Sequence, residues 1–132
     1  MPQVLIIDDQ SISRLILEEL IRSIDLDVTT ESFADPVKAL EWAKSNPVDL
    51  VITDFKMPQM DGVELIKWLR RLPQCSDVPV VIITCVEDKS VRYSALESGA
   101  TDFLTKPIDH TECRARCQNL LTMSRQRSII KE

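Results

Sequence analysis

Residues 49–62 read DLVITDFKMPQMDG, in which a short apolar run ends at an acidic residue, Asp54. Leu50 to Thr53 has the length and the Val and Ile content of a strand that is buried on both faces. The other candidate strands are Val4 to Ile7, a polar run near Asp27 to Glu31, Val80 to Ile83, and Asp102 to Thr105. The polar second run suits the edge of a sheet. Short apolar runs that alternate with longer helical segments predict an α/β fold with a parallel sheet.

Helical patterns fill the segments between these runs. The predicted helices extend from about Ser11 to Ile24, from Asp35 to Ser45, from Asp61 onward, from Lys89 to Ser98, and from Asp109 onward. An apolar stripe at helical spacing predicts the buried face of the first helix, and its members are Ile12, Leu15, Ile16, Leu20 and Ile24. The spacing Asp-x-x-Glu predicts N-terminal caps at Asp61 and Asp109. Five strands and five helices are therefore expected.

The composition limits the chemistry that the chain can perform. A length of 132 residues, of which 44% are hydrophobic, suits one domain with a sizeable core. The two glycines, Gly62 and Gly99, are too few for a Walker phosphate loop or a dinucleotide-binding fingerprint. The single histidine, His110, excludes a multi-histidine metal site and most nucleophilic hydrolase templates.

Charge and cysteine usage predict a reduced, cytoplasmic protein that binds neither membranes nor nucleic acid directly. The 16 basic and 21 acidic residues give a net charge of −5, which disfavours contact with polyanions. No apolar stretch approaches the roughly 18 residues that a membrane span requires. The four cysteines lie apart and lack the pattern of a disulfide framework.

A polar residue of chemical interest follows each of four predicted strands. These residues are Asp8 and Asp9, Asp54, Thr84, and Lys106. Because the carboxyl ends of parallel strands meet at one edge of a sheet, the four positions are expected to converge. Three carboxylates beside one ammonium group imply a divalent cation, and oxygen ligands favour Mg²⁺ or Mn²⁺ over zinc. A hydroxyl and an ammonium group are also suited to holding phosphoryl oxygens, which leaves one carboxylate as a nucleophile.

Helix capping is the alternative explanation for aspartates at the ends of strands. It explains neither the adjacent acidic pair Asp8-Asp9 nor the position of Lys106 after a buried strand.

The sequence resembles the receiver domain of bacterial two-component response regulators from about Gln3 to Leu121. The motifs that carry the resemblance are Ile7-Asp8-Asp9, the run from Asp54 to Gly62, Thr84, and the run from Gly99 to Pro107. The resemblance implies a flavodoxin-like, doubly wound sheet of five parallel strands in the order 2-1-3-4-5, flanked by five helices. It implies a signalling switch, and not an enzyme, in which phosphorylation changes the face formed by helix 4, strand 5 and helix 5.

The same resemblance assigns roles to individual residues. It makes Asp54 the acceptor of a phosphoryl group from a sensor histidine kinase or a phosphotransfer protein. The implied Mg²⁺ ligands are Asp9, Asp54, the backbone carbonyl of Lys56 and, through water, Asp8. The implied phosphoryl-binding residues are Thr84 and Lys106, the implied switch residues are Thr84 and Phe103, and the implied cis peptide bond precedes Pro107.

Residues 1–121 are expected to form the receiver domain, and residues 122–132 to extend the last helix. A link to an output domain, a dimer contact and a solvated helix end are all compatible with this charged tail. A homodimer through helix 4, strand 5 and helix 5 is a further alternative. The chain departs from the family pattern at Cys85, which follows Thr84 and narrows the approach to Asp54. In relatives of this family, the positions of Lys56 and Val86 flank the path of the attacking water, and Val86 cannot orient that water by hydrogen bonding. We therefore expect a long-lived phosphorylated state.

Three rival interpretations have clear discriminators. A phosphohydrolase of the haloacid dehalogenase type needs a second acid two residues after its nucleophile, where this chain has Lys56. A receiver fold that serves only as a binding module should not accept phosphate. A zinc site on His110, Cys113 and Cys117 competes with the simpler interpretation that these cysteines pack in an apolar stripe with Leu120 and Leu121.

Overall fold

A five-stranded parallel sheet organises the chain, and the computed structural model describes residues 2–25, 27–85 and 89–131. The strands are β1 (Gln3–Ile7), β2 (Thr29–Phe33), β3 (Leu50–Asp54), β4 (Val80–Cys85) and β5 (Asp102–Lys106). The helices are α1 (Ser11–Arg22), α2 (Pro36–Ala43), α3 (Gly62–Arg71), α4 (Lys89–Glu97) and α5 (His110–Lys131), with a short 3₁₀ turn at Pro73–Cys75. The strand order is β2-β1-β3-β4-β5 and every pairing is parallel, which confirms the predicted topology.

Helices cover both faces of the sheet, and each face has its own apolar core. Successive residues of β1 point to opposite faces, so Val4 and Ile6 pack with α1 and α5, whereas Leu5 and Ile7 pack with α2, α3 and α4. The α5 side contributes Cys113, Cys117, Leu120 and Leu121, all buried, as the packing interpretation of this helix predicts. The central strands β1, β3 and β4 are therefore buried on both sides, which explains their continuous Val, Ile and Leu content.

The predicted buried face of α1 is only partly correct. Leu20 is buried and Ile24 packs against the core as predicted, whereas Ile12, Leu15 and Ile16 are exposed. Leu17, Leu20 and Ile21 form the buried face, whereas Ile12 and Leu15 are 72% and 60% exposed. The helix carries apolar residues at helical spacing on two adjacent faces, and the spacing alone favours the longer stripe. Contact with the sheet selects the other face. The first half of the predicted stripe, Ile12, Leu15 and Ile16, therefore lies on the surface of the protein.

Several element boundaries differ from those predicted. β2 begins at Thr29 and ends at Phe33, two residues later than expected at each end, and it is the edge strand that its polar composition predicts. α1 ends at Arg22 and α2 at Ala43, each two residues early. The caps predicted at Asp61 and Asp109 are present, because the carboxylates accept hydrogen bonds from the backbone N–H groups of Glu64 and Glu112.

α5 continues to Lys131, and Ser124 in its second half is still buried. Within the described residues, no helix combines the length and the apolar character needed to cross a membrane.

Candidate functional site

The predicted site residues meet at the carboxyl edge of the sheet. Asp8 follows β1, Asp54 ends β3, Thr84 is the penultimate residue of β4, and Lys106 ends β5. Asp8, Asp54 and Thr84 are only 1%, 3% and 3% exposed, so the fold removes two carboxylates and a hydroxyl from water. The edge strand β2 brings no residue to this group.

The acidic cluster consists of Asp8, Asp9 and Asp54. One carboxylate oxygen from each lies within 4.8 Å of the others, and among the described residues no other set of three His, Cys, Asp or Glu side chains gathers in this way. Burial raises the pKa of Asp54, and the charge of Asp9 raises it further. Burial likewise raises the pKa of Asp8, with a smaller contribution from Asp54. A cation with oxygen ligands would relieve both effects.

Lys106 is the basic partner of the cluster. Its Nζ lies 3.0 Å from Oδ1 of Asp54 and 3.2 Å from Oδ2. Partial burial lowers the pKa of this lysine, but the hydrogen bond with Asp54 and the charges of Asp54 and Asp8 outweigh it, so the pKa is raised overall. The ammonium group therefore stays charged at neutral pH. The Lys106–Pro107 peptide bond is cis.

The hydroxyl of Thr84 is buried, and its Oγ1 has no hydrogen-bond partner among the residues that the structure describes. Thr84, Asp54 and Lys106 line one cavity of about 140 Å³. A buried hydroxyl without a partner costs free energy, so an oxygen atom that enters this cavity gains a ready donor.

Asp54 also lines a second, more open cavity of about 410 Å³. The other lining residues are Asp9, Gln10, Lys56, Met57, Pro58 and Lys106. Asp54 thus lies between a smaller cavity that the Thr84 hydroxyl lines and a larger, more open one that the exposed acid Asp9 lines, and Lys106 lines both. This arrangement suits a group that presents oxygen atoms to both sides.

Local hydrogen bonds hold the acidic pair in place. The backbone N–H of Asp8 donates to the Phe33 carbonyl at 3.1 Å, and Oδ1 of Asp8 accepts from the Gln10 N–H at 2.9 Å. Nη1 of Arg14 donates to the Asp8 carbonyl at 2.8 Å. Sequence reasoning missed Arg14, although an arginine one turn into the helix that follows an acidic pair is a visible signal.

Gly62 allows α3 to begin against the end of β3. A Cβ atom at this position would lie 2.8 Å from the Asp54 carbonyl oxygen and 2.9 Å from Cδ1 of Ile82. The Gly62 N–H donates to the Phe55 carbonyl at 2.8 Å. Only glycine permits this close approach, which closes the loop that carries Lys56 beside Asp54.

The remaining predicted residues lie around this centre. Phe103 is half-buried on β5 and lines neither cavity; the guanidinium carbon of Arg92 lies 5.1 Å from the centre of its ring. Lys56 is exposed and lines both cavities. Val86 lies outside the described residues. His110 is exposed whereas Cys113 and Cys117 are buried, so the structure does not gather them as a zinc site.

A doubly wound sheet with an acidic cluster and a lysine at its carboxyl edge defines a class of small α/β signalling domains. The family model of the response regulator receiver domain matches residues 4–118, and the chain belongs to that family.

Relatives and solved structures agree with this assignment. The cyclic di-GMP phosphodiesterase response regulator RpfG of Xanthomonas campestris is 43% identical over 98% of this chain, which spans 34% of the length of RpfG. The crystal structure of a putative response regulator from Chloroflexus aurantiacus has a TM-score of 0.85 and 30% identity, and covers 92% of this chain and 99% of its own. The receiver domain of the sensor histidine kinase PA1611 from Pseudomonas aeruginosa, with magnesium in its active site cleft, has a TM-score of 0.81 and 22% identity over 92% of this chain and 98% of its own.

Proposed function

We propose that Asp54 is the phosphoacceptor of this receiver domain. The observation that carries the proposal is the position of its carboxylate, in contact with Lys106, beside the acidic pair, and in the same cavity as the unpartnered hydroxyl of Thr84. Each of these groups meets one requirement of phosphoryl transfer, namely a nucleophile, a cation site and donors for the phosphoryl oxygens.

The chemistry is an in-line displacement at phosphorus. A carboxylate oxygen of Asp54 forms the new O–P bond while the P–N bond to the imidazole of a donor phosphohistidine breaks, and the imidazole leaves with that electron pair. Lys106 and Thr84 donate to the phosphoryl oxygens and stabilise their charge. The product is an acyl phosphate on Asp54.

Mg²⁺ is the proposed cofactor, and it supplies positive charge that offsets the carboxylates and the phosphoryl group. The proposed ligands are Asp9, Asp54 and the Lys56 carbonyl, with Asp8 acting through water. The clustered carboxylates and the raised pKa values of Asp8 and Asp54 support this set. Mn²⁺ accepts the same oxygen ligands. The magnesium in the cleft of the PA1611 receiver domain is consistent with this choice.

The switch is proposed to run from Thr84 to Phe103. When the Thr84 hydroxyl turns toward the phosphoryl group, it vacates space that Phe103 can fill. An inward turn of this ring would break its contact with Arg92 of α4 and so change the face formed by α4, β5 and α5. The contact between the half-buried side chains of Arg92 and Phe103 gives this movement a small opposing energy.

The phosphodonor is proposed to be a sensor histidine kinase or a phosphotransfer protein that docks on α1. Ile12, Leu15 and Ile16 expose apolar surface there. A groove of about 320 Å³ extends from Lys106 to Ile16 and His110, so it joins the site to this surface. A donor whose histidine reaches Asp54 would cover both the groove and the apolar surface of α1.

The activity that the receiver domain controls is also proposed. RpfG is named as a cyclic di-GMP phosphodiesterase, and its match to this chain covers 34% of its length. We infer that the last part of α5, from residue 122 to Lys131, links the receiver to an output unit, and cyclic di-GMP turnover is the first output to test. Dimerisation through the α4, β5 and α5 face or through this helix is the alternative role.

Incubation with acetyl phosphate and Mg²⁺, followed by intact mass measurement, tests the proposed function. The protein should gain one phosphoryl group, and Asp54→Asn should gain none. Glu64→Gln, an exposed acid on α3, is the matched control and should be phosphorylated normally. An unmodified wild-type protein would favour the binding-module interpretation, and many turnovers of a phosphate ester per protein would favour the phosphohydrolase.

A further inference from the structure

Cys85 differs from the other three cysteines of the chain in its accessibility. Cys75, Cys113 and Cys117 are buried in the two apolar cores, whereas Cys85 is exposed. All four lie within the described residues, so the comparison covers every thiol of the sequence. A reagent in solution therefore meets the Cys85 thiol first.

The surroundings of Cys85 are those of the phosphoacceptor. Cys85 pairs with Lys106 in the register of β4 and β5, and it lines the cavity of about 140 Å³ together with Asp54. A negative charge on its sulfur favours the charged form of Lys106 and so raises the pKa of that lysine. The buried hydroxyl of Thr84, which has no partner, lines the same cavity. The cavity thus holds two donors that an added oxygen atom on sulfur can engage.

We propose that Cys85 is an oxidation site at which peroxides suppress phosphoryl acceptance by this domain. The thiolate attacks one oxygen of hydrogen peroxide, the O–O bond breaks, and the products are a sulfenic acid on Cys85 and hydroxide. Sulfur is oxidised by two electrons and the peroxide is reduced by two. Two equivalents of a small thiol return the sulfenic acid to the thiol, with release of water and a disulfide of that small thiol.

The effect on phosphorylation follows from the size and contacts of the cavity. The sulfenic oxygen occupies space beside Asp54 and competes for the Lys106 and Thr84 donors that the phosphoryl oxygens require. The inference rests on the proposed function, because it concerns the regulation of the same site. Oxidation is directed to Cys85 because Cys75, Cys113 and Cys117 are shielded from peroxide in the apolar cores.

The test begins with the reduced protein. Reduced wild-type protein is phosphorylated with acetyl phosphate and Mg²⁺, and absence of an adduct at this step would refute the proposed function itself. A second sample is oxidised with hydrogen peroxide, trapped with dimedone and mapped by peptide mass, and the label should lie on Cys85. A label confined to other cysteines, or no label, overturns the inference.

Phosphorylation is then compared between reduced and peroxide-treated samples that have not been trapped. Oxidation should lower the rate at least about tenfold, because a donor contact to the phosphoryl group is lost. A small thiol should restore the rate. In Cys85→Ser the phosphorylation rates with and without peroxide treatment should be nearly equal, even if the substitution itself changes the rate of the reduced protein. Equal rates for reduced and fully sulfenylated wild-type protein overturn the inference.

A reciprocal measurement separates a shared cavity from an indirect effect. Beryllofluoride with Mg²⁺ stands in for the phosphoryl group, so it should slow alkylation of Cys85 by N-ethylmaleimide in wild-type protein. Asp54→Asn, which cannot hold that group, should show no such protection. Unchanged alkylation of the wild-type protein would contradict the shared cavity and with it the inference.

Discussion

The two edges of the sheet use polar groups in opposite ways. At the amino edge, where the strands begin, polar groups form hydrogen bonds with one another. The Asp49 carboxylate accepts a hydrogen bond from the Gln3 N–H at 2.7 Å, and Oγ1 of Thr101 accepts one from the Val80 N–H at 3.0 Å. At the carboxyl edge, three carboxylates lie beside one lysine, and the Thr84 hydroxyl has no partner.

Arg70 shows the amino-edge arrangement most fully. Its guanidinium group donates to the carbonyls of Gly99, Cys75 and Val78, at distances between 2.6 and 3.2 Å. It therefore joins α3 to the segments that precede β4 and β5. The amino edge stabilises the fold, whereas the carboxyl edge keeps its charges and donors available for a ligand, at a cost in stability.

The largest expected effect is on the amino edge. Arg70→Met should lower the free energy of unfolding by about 3 kcal/mol, because it leaves several part-buried carbonyls without a charged donor. Urea unfolding measures the change. Arg71→Met, at an exposed neighbour whose guanidinium lies over the Trp68 ring, should cost no more than about 1 kcal/mol. Similar losses for both variants would remove the contrast between the edges.

At the carboxyl edge, Lys106→Met should impair phosphorylation, whereas Arg70→Met at the amino edge impairs stability. The phosphorylation rate should fall about 100-fold, because the ammonium group that stabilises the phosphoryl charge is absent. Lys44→Met, at an exposed lysine paired with Glu41, is the matched control and should leave the rate unchanged. Mass-resolved time courses with acetyl phosphate give both rates. A loss of less than twofold in the Lys106 variant would exclude the proposed contact.

Metal and pH should act together on stability. The folded pKa values of Asp8 and Asp54 are raised above 3.8, so the folded state binds protons more tightly and, without metal, becomes less stable as pH rises through these values. Mg²⁺ at about 100 times its dissociation constant should add about 2.7 kcal/mol at neutral pH. Thermal melting with and without chelator measures both effects, and Asp8→Asn should flatten the metal-free pH dependence. A metal-free stability that increases over this pH range would show the sign to be wrong.

The smallest effects on stability are expected for substitutions of two threonines, Thr84 and Thr101. Thr84→Val removes a buried hydroxyl without a partner, so stability should be unchanged or up to about 1 kcal/mol higher, while phosphorylation slows about tenfold. Thr101→Val loses an acceptor for the Val80 N–H and should cost about 1 kcal/mol without slowing phosphorylation. Paired urea unfolding curves and phosphorylation time courses distinguish the two. Destabilisation by Thr84→Val would mean that its hydroxyl is already satisfied.

The residues at the carboxyl edge could be predicted from the sequence because all parallel strands run in one direction. A residue at the end of a buried strand then has a known location, and Asp54 and Lys106 meet as expected. The buried face of α1 was predicted only in part, because helical spacing cannot choose between two adjacent apolar faces. The role of Arg70 was missed because its acceptors are backbone carbonyls, which leave no side-chain signature in the sequence. Likewise, no pattern reveals that the Thr84 hydroxyl lacks a partner.

The strand order has a consequence for the newly synthesised chain. Residues 1–54 contain the whole acidic cluster, but Lys106 comes from the last strand, which is added to the far edge of the sheet. Under the proposed mechanism, a chain that has paired only its first four strands therefore lacks the ammonium group that stabilises the transferred phosphoryl group. We therefore expect the ability to accept a phosphoryl group to appear only when the last strand has joined the sheet.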